Sequence, residues 1–357
     1  MKIGIIGLPQ AGKKTLFKLL TQYVFSEKDL ISKKTIKSLA QIKDPRFDHL
    51  VSSYKPKKET RARVDIELLS NIEPDSIEKG EIFKDICEFD ALCHVVRAFN
   101  NDAIYHINGS VDFKRDIDYV NSEFILHDLL FIEKRLERIE TNLKRIKDAE
   151  AIKEKELLLK LKTQLDKELP LRLIDLSVQE TKIIASYPFI TAKKLVIVLN
   201  VSESELNNTA GLEKLKREYQ NIDIDILQVC AKVESEIAEL GTKQEREEFL
   251  AMVGIKEPAI DALTRTCIKA LDLISFFTVG SDEVRQWLVK ANSPAPVAAG
   301  VIHSDLQKGF IRAEVIKYAD FSSLGSEDKL RQMGKVYLKG KDYIVEDGDM
   351  MNIKFNI

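Results

Sequence analysis

The chain has 357 residues, of which 44% are hydrophobic and 31% are charged, and its formal net charge is −2. A chain of this length is expected to hold two or three domains. The nearly balanced charge gives no whole-chain signature of nucleic-acid binding and leaves only a local basic face as a possibility. We therefore expect a soluble globular protein that does not bind DNA.

The cysteine pattern and the lengths of the apolar runs indicate the cellular compartment of the protein. Cys87, Cys93, Cys230 and Cys267 form no Cys-x-x-Cys pair and lie among apolar residues, which predicts buried, reduced thiols. No signal segment precedes the first predicted strand, and no apolar run reaches membrane-spanning length. These observations predict a cytoplasmic protein with no membrane partner.

The first fifteen residues combine an apolar run, a glycine loop and the start of a helix. They read MKIGIIG and then LPQAGKKT, before a helical LFKLLT. This order is typical of a phosphate-binding loop, in which backbone N–H groups surround the phosphates and Lys13 reaches their terminal oxygens. The alternative is a plain glycine turn between a strand and a helix. The predicted nucleotide-binding residues here are Gly7, Gln10, Ala11, Gly12, Lys13, Lys14 and Thr15.

Position 14 departs from the phosphate-loop pattern, which is G-x-x-x-x-G-K followed by Ser or Thr. The hydroxyl at that position normally binds Mg²⁺, and this chain has Lys14 instead. Thr15 is the nearest hydroxyl, but one residue along a helix turns the side chain by about 100°. One hypothesis is that the Lys14 ammonium replaces the Mg²⁺ charge near the β- and γ-phosphates. The alternative is that Lys14 points into solvent.

Further strand-like runs follow along the chain. ARVDI ends at Ile66, ALCHVV at Val96, KLVIVL at Leu199 and DIDILQVC at Cys230, and helical patterns separate them. Alternating strands and helices predict an α/β fold with a mostly parallel sheet and helices on both faces.

A long helical stretch interrupts this alternation between about Arg115 and Lys167. Its apolar residues follow the three-four spacing of a coiled-coil seam, which predicts two antiparallel helices joined by a polar turn. The helices form either an arm that contacts a partner or an ordinary hairpin with solvated outer faces. The seam residues are Leu129, Ile132, Leu136, Ile139, Leu143 and Ile146, then Leu158, Leu161 and Leu165.

The residues after the strand that ends at Leu199 are candidates for base recognition. GTPases of this architecture carry Asn-Lys-x-Asp here, whereas this chain has Asn200, Val201, Ser202 and Glu203. Glu203 is one methylene longer than Asp, so the guanine contact weakens, while Asn200 can still bond the N6 and N7 edge of adenine. The second base loop is predicted at Cys230, Ala231 and Lys232.

After Cys267 the sequence consists of short strand-like segments separated by glycines. This pattern predicts a small α+β domain with β-hairpins. His303 and Asp305 suggest either a metal or acid–base pair or a structural turn, and the turn is the expected outcome. Trp287 is expected in the core rather than as a base-stacking platform.

These motifs resemble the Obg-like ATPases, the YchF-type branch of the translation-factor P-loop GTPases, over nearly the whole chain. The resemblance is carried by GLPQAGKKTLF, DPRFDHLVSSYKPKKET, FDALCHVVRAFNND, LNVSESE, FFTVGSDEVRQW, AAGVIHSDLQKGFIRAEVI and GKDYIVEDGDMMNIKFNI. It implies a P-loop G domain at 1–121 and 188–274, an inserted antiparallel coiled-coil arm at 122–187, and a C-terminal β-grasp-like TGS domain at 275–357.

The resemblance also implies a function. The family binds and hydrolyses ATP in preference to GTP, with Mg²⁺ expected, and associates with ribosomes, which points to the large subunit or RNA as the partner of a monomer. His106 lies at the place of the family's proposed catalytic histidine; the alternative is a loop histidine with no chemistry.

The two switch regions depart from the family. The second switch, DIELLSNIEPDSIEKGEIF, retains only Gly80 of five glycines, and Leu68 replaces the glycine whose N–H meets the γ-phosphate. The first switch has no clear counterpart in Val24–Ser38, where Thr35 is the remaining candidate for Mg²⁺.

Three functional hypotheses follow. The protein is an active ribosome-associated ATPase, a degenerate paralogue that does not hydrolyse nucleotide and acts as an interaction module, or chiefly a binder of RNA or ribosomes. The third depends on basic residues of the arm, with which Glu133, Glu137 and Glu140 interleave. These basic residues are Arg135, Arg138, Lys144, Arg145 and Lys147.

Overall fold

A computed structural model gives the fold for residues 1–31, 34–73, 80–145, 148–255 and 257–356. The chain forms two compact units. The first comprises Met1–Ser38 and Asp65–Ile260, and the second comprises Leu39–Val64 and Asp261–Ile357. None of the helices in these ranges is long and apolar enough to cross a membrane.

Strands and helices are numbered along the chain. The strands are β1 (Lys2–Ile6), β2 (Ile36–Gln41), β3 (Lys58–Thr60), β4 (Arg63–Leu68), β5 (Ala91–Ala98), β6 (Lys194–Val201), β7 (Ile224–Val229), β8 (Leu273–Thr278), β9 (Glu283–Lys290), β10 (Phe310–Lys317), β11 (Tyr337–Lys339) and β12 (Asp349–Phe355). The helices are α1 (Lys13–Thr21), α2 (Glu27–Ile31), α3 (Pro45–Tyr54), α4 (Glu81–Cys87), α5 (Phe113–Leu143), α6 (Ala149–Leu165), α7 (Val178–Ile184), α8 (Ala210–Glu218), α9 (Ala231–Glu239), α10 (Lys243–Met252), α11 (Ala259–Ala270), α12 (Ala295–Ile302), α13 (Ser304–Lys308), α14 (Tyr318–Leu324) and α15 (Glu327–Gln332).

The first sheet has the strand order β2-β4-β1-β5-β6-β7. Strand β1 pairs in parallel with β4 and β5, and β6 pairs in parallel with β5 and β7. The predicted α/β fold is confirmed, and the strands from the apolar runs end within two residues of the predicted ends. Because parallel strands present their carboxyl ends at one edge, the loops after β1, β5 and β6 meet there.

The core of the first unit lies under this edge. Ile6 of β1, Val96 of β5 and Leu199 of β6 are almost completely buried, and they belong to one cluster with Ile117 and Val120 of α5. Burying an aliphatic side chain contributes roughly 1.5–3 kcal/mol, so these contacts fix the strand ends against the first turns of α5.

A buried carboxylate adds a polar anchor between α5 and β6. Asp128 of α5 is fully buried and accepts hydrogen bonds from the Ile190 N–H at 3.0 Å, the Thr191 N–H at 2.8 Å and the Thr191 hydroxyl at 2.7 Å. A buried carboxylate needs such donors because its desolvation is costly. The anchor therefore holds the segment that leads into β6 in one position.

Helices α5 and α6 pack as an antiparallel pair. Ile132 and Ile139 of α5 are buried in one cluster with Leu158, Leu161 and Leu165 of α6, and Leu129, Leu136 and Leu143 pack against it. The predicted seam residue Ile146 lies outside the described residues. Three ion pairs cross between the helices: Arg135–Glu154 at 2.5 Å, Glu140–Lys155 at 2.7 Å and Glu133–Lys162 at 2.9 Å.

The second unit contains a mixed sheet with the order β11-β10-β12-β8-β9-β3. Strands β8 and β9 form an antiparallel pair, whereas β12 pairs with β8 and β3 pairs with β9 in parallel. Residues 39–64 belong to this unit, although the sequence placed them in the G domain at 1–121. The reason is burial: Phe47 and Leu50 of α3 pack in one core with Phe277 and Phe321. The predicted boundaries of the G domain, arm and TGS domain stay predictions.

Two minor expectations concern this unit. His303 caps α13, and its Nδ1 accepts a hydrogen bond from the Asp305 N–H at 3.2 Å, which is the expected structural turn. Trp287 is half-buried and packs against the core of this sheet, as expected, and its Nε1 donates to the Thr278 hydroxyl at 2.9 Å.

Candidate functional site

In the loop between β1 and α1, two glycines lie very close to residues of other strands. Gly7 has φ +147° and Gly12 has φ +96°, values that favour glycine. A Cβ atom at Gly7 would lie 2.3 Å from the Val95 carbonyl oxygen, and one at Gly12 would lie 2.2 Å from Asn200 Nδ2. Both glycines of the pattern are therefore required by packing as well as by conformation.

Lys13, the first residue of α1, folds back onto its own loop. Its Nζ donates to the Gly7 carbonyl oxygen and, at 2.9 Å, to Asn71 Oδ1, and the residue is 6% exposed. Burial lowers the pKa of Lys13 to about 7; Glu73 opposes this shift and the charge of Lys14 adds to it. Desolvation therefore outweighs the attraction of the nearby carboxylate.

The residues after β4 lie directly on the phosphate loop. The Leu69 N–H donates to the Ile5 carbonyl oxygen at 3.1 Å, and the Ile72 N–H donates to the Gly7 carbonyl oxygen at 3.2 Å. These bonds place Asn71 at Lys13. The sequence singled out Leu68, which is buried at the end of β4, but missed Asn71. The signal for it was a polar residue in the segment expected to sense the γ-phosphate; residues 74–79 of that segment lie outside the described residues.

Asn200 connects the phosphate loop to the second base loop. Its Nδ2 donates to the Ala11 carbonyl oxygen at 3.0 Å, and its Oδ1 accepts from the Ala231 N–H at 3.1 Å. The amide keeps one further hydrogen and one further lone pair. Glu203 and Lys232 form an exposed ion pair of 3.2 Å between the two base loops.

These loops enclose a cavity of about 890 Å³, which is a size typical of small-molecule sites. The structure thus brings together nine of the predicted residues: Gln10, Gly12, Thr15, Asn200, Val201, Glu203, Cys230, Ala231 and Lys232. The sequence missed Phe99, Asn100, Asn101 and Ile104, which also line it. Their signal was their position directly after β5, the strand next to β1.

The other predicted residues are arranged differently. Gly7, Ala11, Lys13 and Lys14 belong to the phosphate loop and its helix but are not among the cavity-lining residues, and Lys14 is exposed.

His106 is buried in a separate polar cluster. Its Nδ1 accepts from the Asn108 N–H at 3.1 Å, so in the neutral ring Nε2 carries the proton and donates to Asp116 Oδ2 at 3.0 Å. Asp116 Oδ1 accepts from Arg115 Nη2 at 2.9 Å. Both ring nitrogens are therefore occupied, and the catalytic role of His106 stays a prediction.

The donors expected for Mg²⁺ do not converge. Thr15 lines the cavity, whereas the Thr35 hydroxyl donates to Asp85 Oδ2 at 3.3 Å. Position 14 offers an ammonium instead of a hydroxyl, and the described residues contain no group of three or more His, Cys, Asp or Glu that could hold a metal. The two hydroxyls predicted as Mg²⁺ donors therefore lie in different surroundings, and the use of Mg²⁺ stays a prediction.

Comparison with known proteins gives consistent matches over the whole chain. A family model named YchF-GTPase_C, described as a protein of unknown function (DUF933), matches residues 273–356. The ribosome-binding ATPase YchF of Bacillus subtilis is 38% identical over 369 residues, covering 99% of each chain. The Obg-like ATPase 1 of Caenorhabditis elegans is 34% identical over 365 residues, covering 100% of this chain and 92% of the relative.

Solved structures agree on the fold. The YchF GTPase of Schizosaccharomyces pombe superposes with a TM-score of 0.84 at 29% identity, covering 99% of this chain and 97% of that one. A GTP-binding protein from Pyrococcus horikoshii, at 19% identity and full coverage of both chains, has a TM-score of 0.57 and shows the fold alone.

The lowered pKa of Lys13 predicts a pH dependence of stability. The folded-state pKa is about 7, against the ordinary lysine pKa of 10.5, so the unfolded state binds more protons between these two pH values. Relative to Lys13→Met, the free energy of unfolding of the unmodified protein should therefore rise as the pH is raised from about 7 to about 10. Urea unfolding at several pH values measures this, with Lys18→Met, which removes an exposed lysine of the same helix, as the control. A difference independent of pH would contradict the prediction.

Proposed function

The chain belongs to the YchF and Obg-like ATPase family, and from that premise we propose that it binds an adenine nucleotide in the cavity between the phosphate loop and the base loops. The observation that supports this most is Asn200, whose side chain joins Ala11 to Ala231 and so builds one site from two distant segments. The cavity of about 890 Å³ is large enough for a nucleotide.

Preference for ATP over GTP is supported by the residues that replace the guanine-reading motif. Glu203 is held at the rim by Lys232 rather than positioned alone over the cavity. A guanine whose two donors are not matched loses the hydrogen bonds that give such sites their selectivity. Asn200 retains one donor and one acceptor for a base edge.

We propose that hydrolysis is slow. Lys13 already has two acceptors in Gly7 and Asn71, so phosphate oxygens must compete for its ammonium. Leu68 stands where a glycine N–H would meet the γ-phosphate, and His106 has both nitrogens engaged. The same observations favour the alternative, a non-hydrolysing paralogue that acts as an interaction module.

The lysine at position 14, where the phosphate-loop pattern has a hydroxyl, supports a different source of positive charge. We propose that the Lys14 ammonium takes this place, since Lys14 begins the exposed face of α1 next to the loop.

We further propose that α5 and α6 form the inserted coiled-coil arm, that 275–357 form the TGS domain, and that the protein is a cytoplasmic monomer that associates with the ribosome. Two of the relatives are named ribosome-binding ATPases. On α5, the interleaved Glu133 and Glu140 are paired with lysines of α6. Of the other basic residues predicted for the arm, Arg138, Lys144 and Arg145 are exposed and, within the described ranges, have no ion-pair partner, and Lys147 lies outside the described residues.

Calorimetric titration of nucleotide-free protein tests the nucleotide proposal. ATP should bind more tightly than GTP, and replacing Mg²⁺ by EDTA should change the ATP affinity by less than about threefold, while phosphate release stays slow. In the Lys14→Ser variant, which restores the phosphate-loop pattern, EDTA should weaken binding strongly. A strong effect of EDTA on the unmodified protein would contradict the role of Lys14. No binding of ATP or GTP would contradict the nucleotide proposal and leave the interaction module.

Asn71 is predicted to restrain nucleotide binding. The Asn71→Ala variant should raise the ATP affinity by up to about tenfold, because a hydrogen bond to a charged group no longer has to be broken. Asn71→Asp should lower it, since a carboxylate would hold Lys13 more strongly. Ser70→Ala in the same segment is the control, and titration calorimetry measures all three. Equal affinities for the Ala and Asp variants would contradict the prediction.

Co-sedimentation with ribosomes tests the partner. Binding should weaken with salt, and the Arg138→Glu and Arg145→Glu double variant should lose it, because two exposed cations are reversed. The control is Lys153→Glu, an exposed charge reversal on α6. An equal loss in the control would show that total charge, not this face, determines binding.

A further inference from the structure

A second cavity, of about 840 Å³, is lined only by residues of the second compact unit. It lies where strand β3 ends beside β9. The parallel register runs from the Lys58–Glu283 pair to the Thr60–Arg285 pair. Beyond Thr60 the register with β9 ends: the Ala62 carbonyl oxygen accepts from the Ile42 N–H at 2.9 Å, and the Ala62 N–H donates to Gln286 Oε1 at 3.3 Å. The cleft lies along β9 at this end of the pairing.

The lining of this cleft is strongly cationic. It includes Lys58, Arg61, Arg63 and Arg285, with Glu59 as the one acidic residue. Lys58 pairs with Glu283 at 3.1 Å. Arg63 and Arg285 have no ion-pair partner among the residues that the structure describes, although both are at least partly exposed. Unneutralised guanidinium groups around one cavity favour a ligand that carries phosphate.

Two contacts hold the Arg61 side chain in place, but one of its guanidinium nitrogens has no hydrogen-bond partner in the described part of the chain. Its guanidinium carbon lies 4.7 Å from the centre of the Phe47 ring, and Nη2 pairs with Asp48. Its other terminal nitrogen, Nη1, is buried and has no hydrogen-bond partner within the described part of the chain. Because Nη1 is out of reach of solvent, Arg61 contributes its positive charge to the lining rather than an open hydrogen-bond donor.

An aromatic platform lies in the same lining. The Arg285 guanidinium carbon is 3.8 Å from the centre of the Trp287 ring. The indole is held by Phe276, with near-parallel rings whose centres are 6.4 Å apart, and by the hydrogen bond from Nε1 to Thr278. A guanidinium next to an indole gives a surface on which a nucleobase can stack.

We propose that this cleft binds a phosphorylated nucleobase, with the base on the Arg285–Trp287 pair and the phosphate at Arg63, where Arg61 adds positive charge. Positive charge and a stacking surface are the two features that single-stranded nucleic acids and free nucleotides share as ligands. The site is separate from the phosphate loop and does not depend on the proposed adenine-nucleotide site. It would give the second unit a nucleotide-recognition role of its own.

The sequence offers a direct probe, because Trp287 is its single tryptophan. We would titrate the full chain at low salt with uridine monophosphate, a short oligouridine RNA and inorganic pyrophosphate, and follow the tryptophan fluorescence. Uridine monophosphate or the oligomer should change the emission. Binding of the oligomer alone identifies a single strand as the source, and comparable binding of the monophosphate identifies a free nucleotide.

Variants of Arg63 decide whether the signal comes from the cleft. Arg63→Ala should weaken binding by about tenfold and, for the oligomer, lower the slope of log affinity against log salt by about one. Arg63→Lys should retain most of the affinity. Lys341→Ala, which removes an exposed cation of the same unit outside the cleft, should bind as the unmodified protein does. Thermal unfolding checks that each variant is folded.

Three results would overturn the proposal. They are an emission unaffected by all three probes, equal affinity of Arg63→Ala and the unmodified protein, and equal affinity for pyrophosphate and uridine monophosphate. The last result would show that the base makes no contact.

Discussion

The close approach of the phosphate loop to the ends of β5 and β6 is the constraint on which the candidate site depends. Gly7 lies against the Val95 backbone, and Gly12 lies against the Asn200 amide, with no room for a side chain at either place. Only this proximity lets Asn200 reach Ala11 on one side and Ala231 on the other. Since β6 is held in place by Asp128 and by the apolar core, the geometry of the loop is set by the whole sheet.

The pKa of Lys13 reflects a balance between desolvation of its ammonium and the contacts that this ammonium makes in the phosphate loop. The ammonium is removed from water, and its two hydrogen-bond acceptors are neutral oxygens, whereas a bound nucleotide would present anionic phosphate oxygens. Neutral acceptors compensate a buried charge only in part, which explains the pKa of about 7. The segment after β4 lacks the family's glycines, and it also supplies Asn71, whose side chain would compete with phosphate oxygens for the Lys13 ammonium. This contact links the rebuilt second switch to the phosphate loop.

The second unit is completed by a segment from the N-terminal part of the chain. Helix α3 contributes Phe47, which is buried in one cluster with Phe277, and strand β3 pairs with β9 at the edge of the second sheet. That recruitment also brings Arg61 and Arg63 next to Arg285 and Trp287, which are more than two hundred residues away in sequence. Cationic residues of the segment 58–63 and of β9 therefore line one cleft.

The sequence by itself determined the α/β class, the order of the strands along the chain, the glycine loop and the two base loops that line the cavity with it, but not the loop after β5. Apolar periodicity and glycine spacing act over a few residues, so they can be read locally. Only the tertiary structure decided that Lys13 contacts Asn71, that His106 pairs with Asp116, that residues 39–64 join the second unit, and that Trp287 lines a cleft. These outcomes depend on which distant side chains packing brings within bonding distance, and no local pattern encodes that choice.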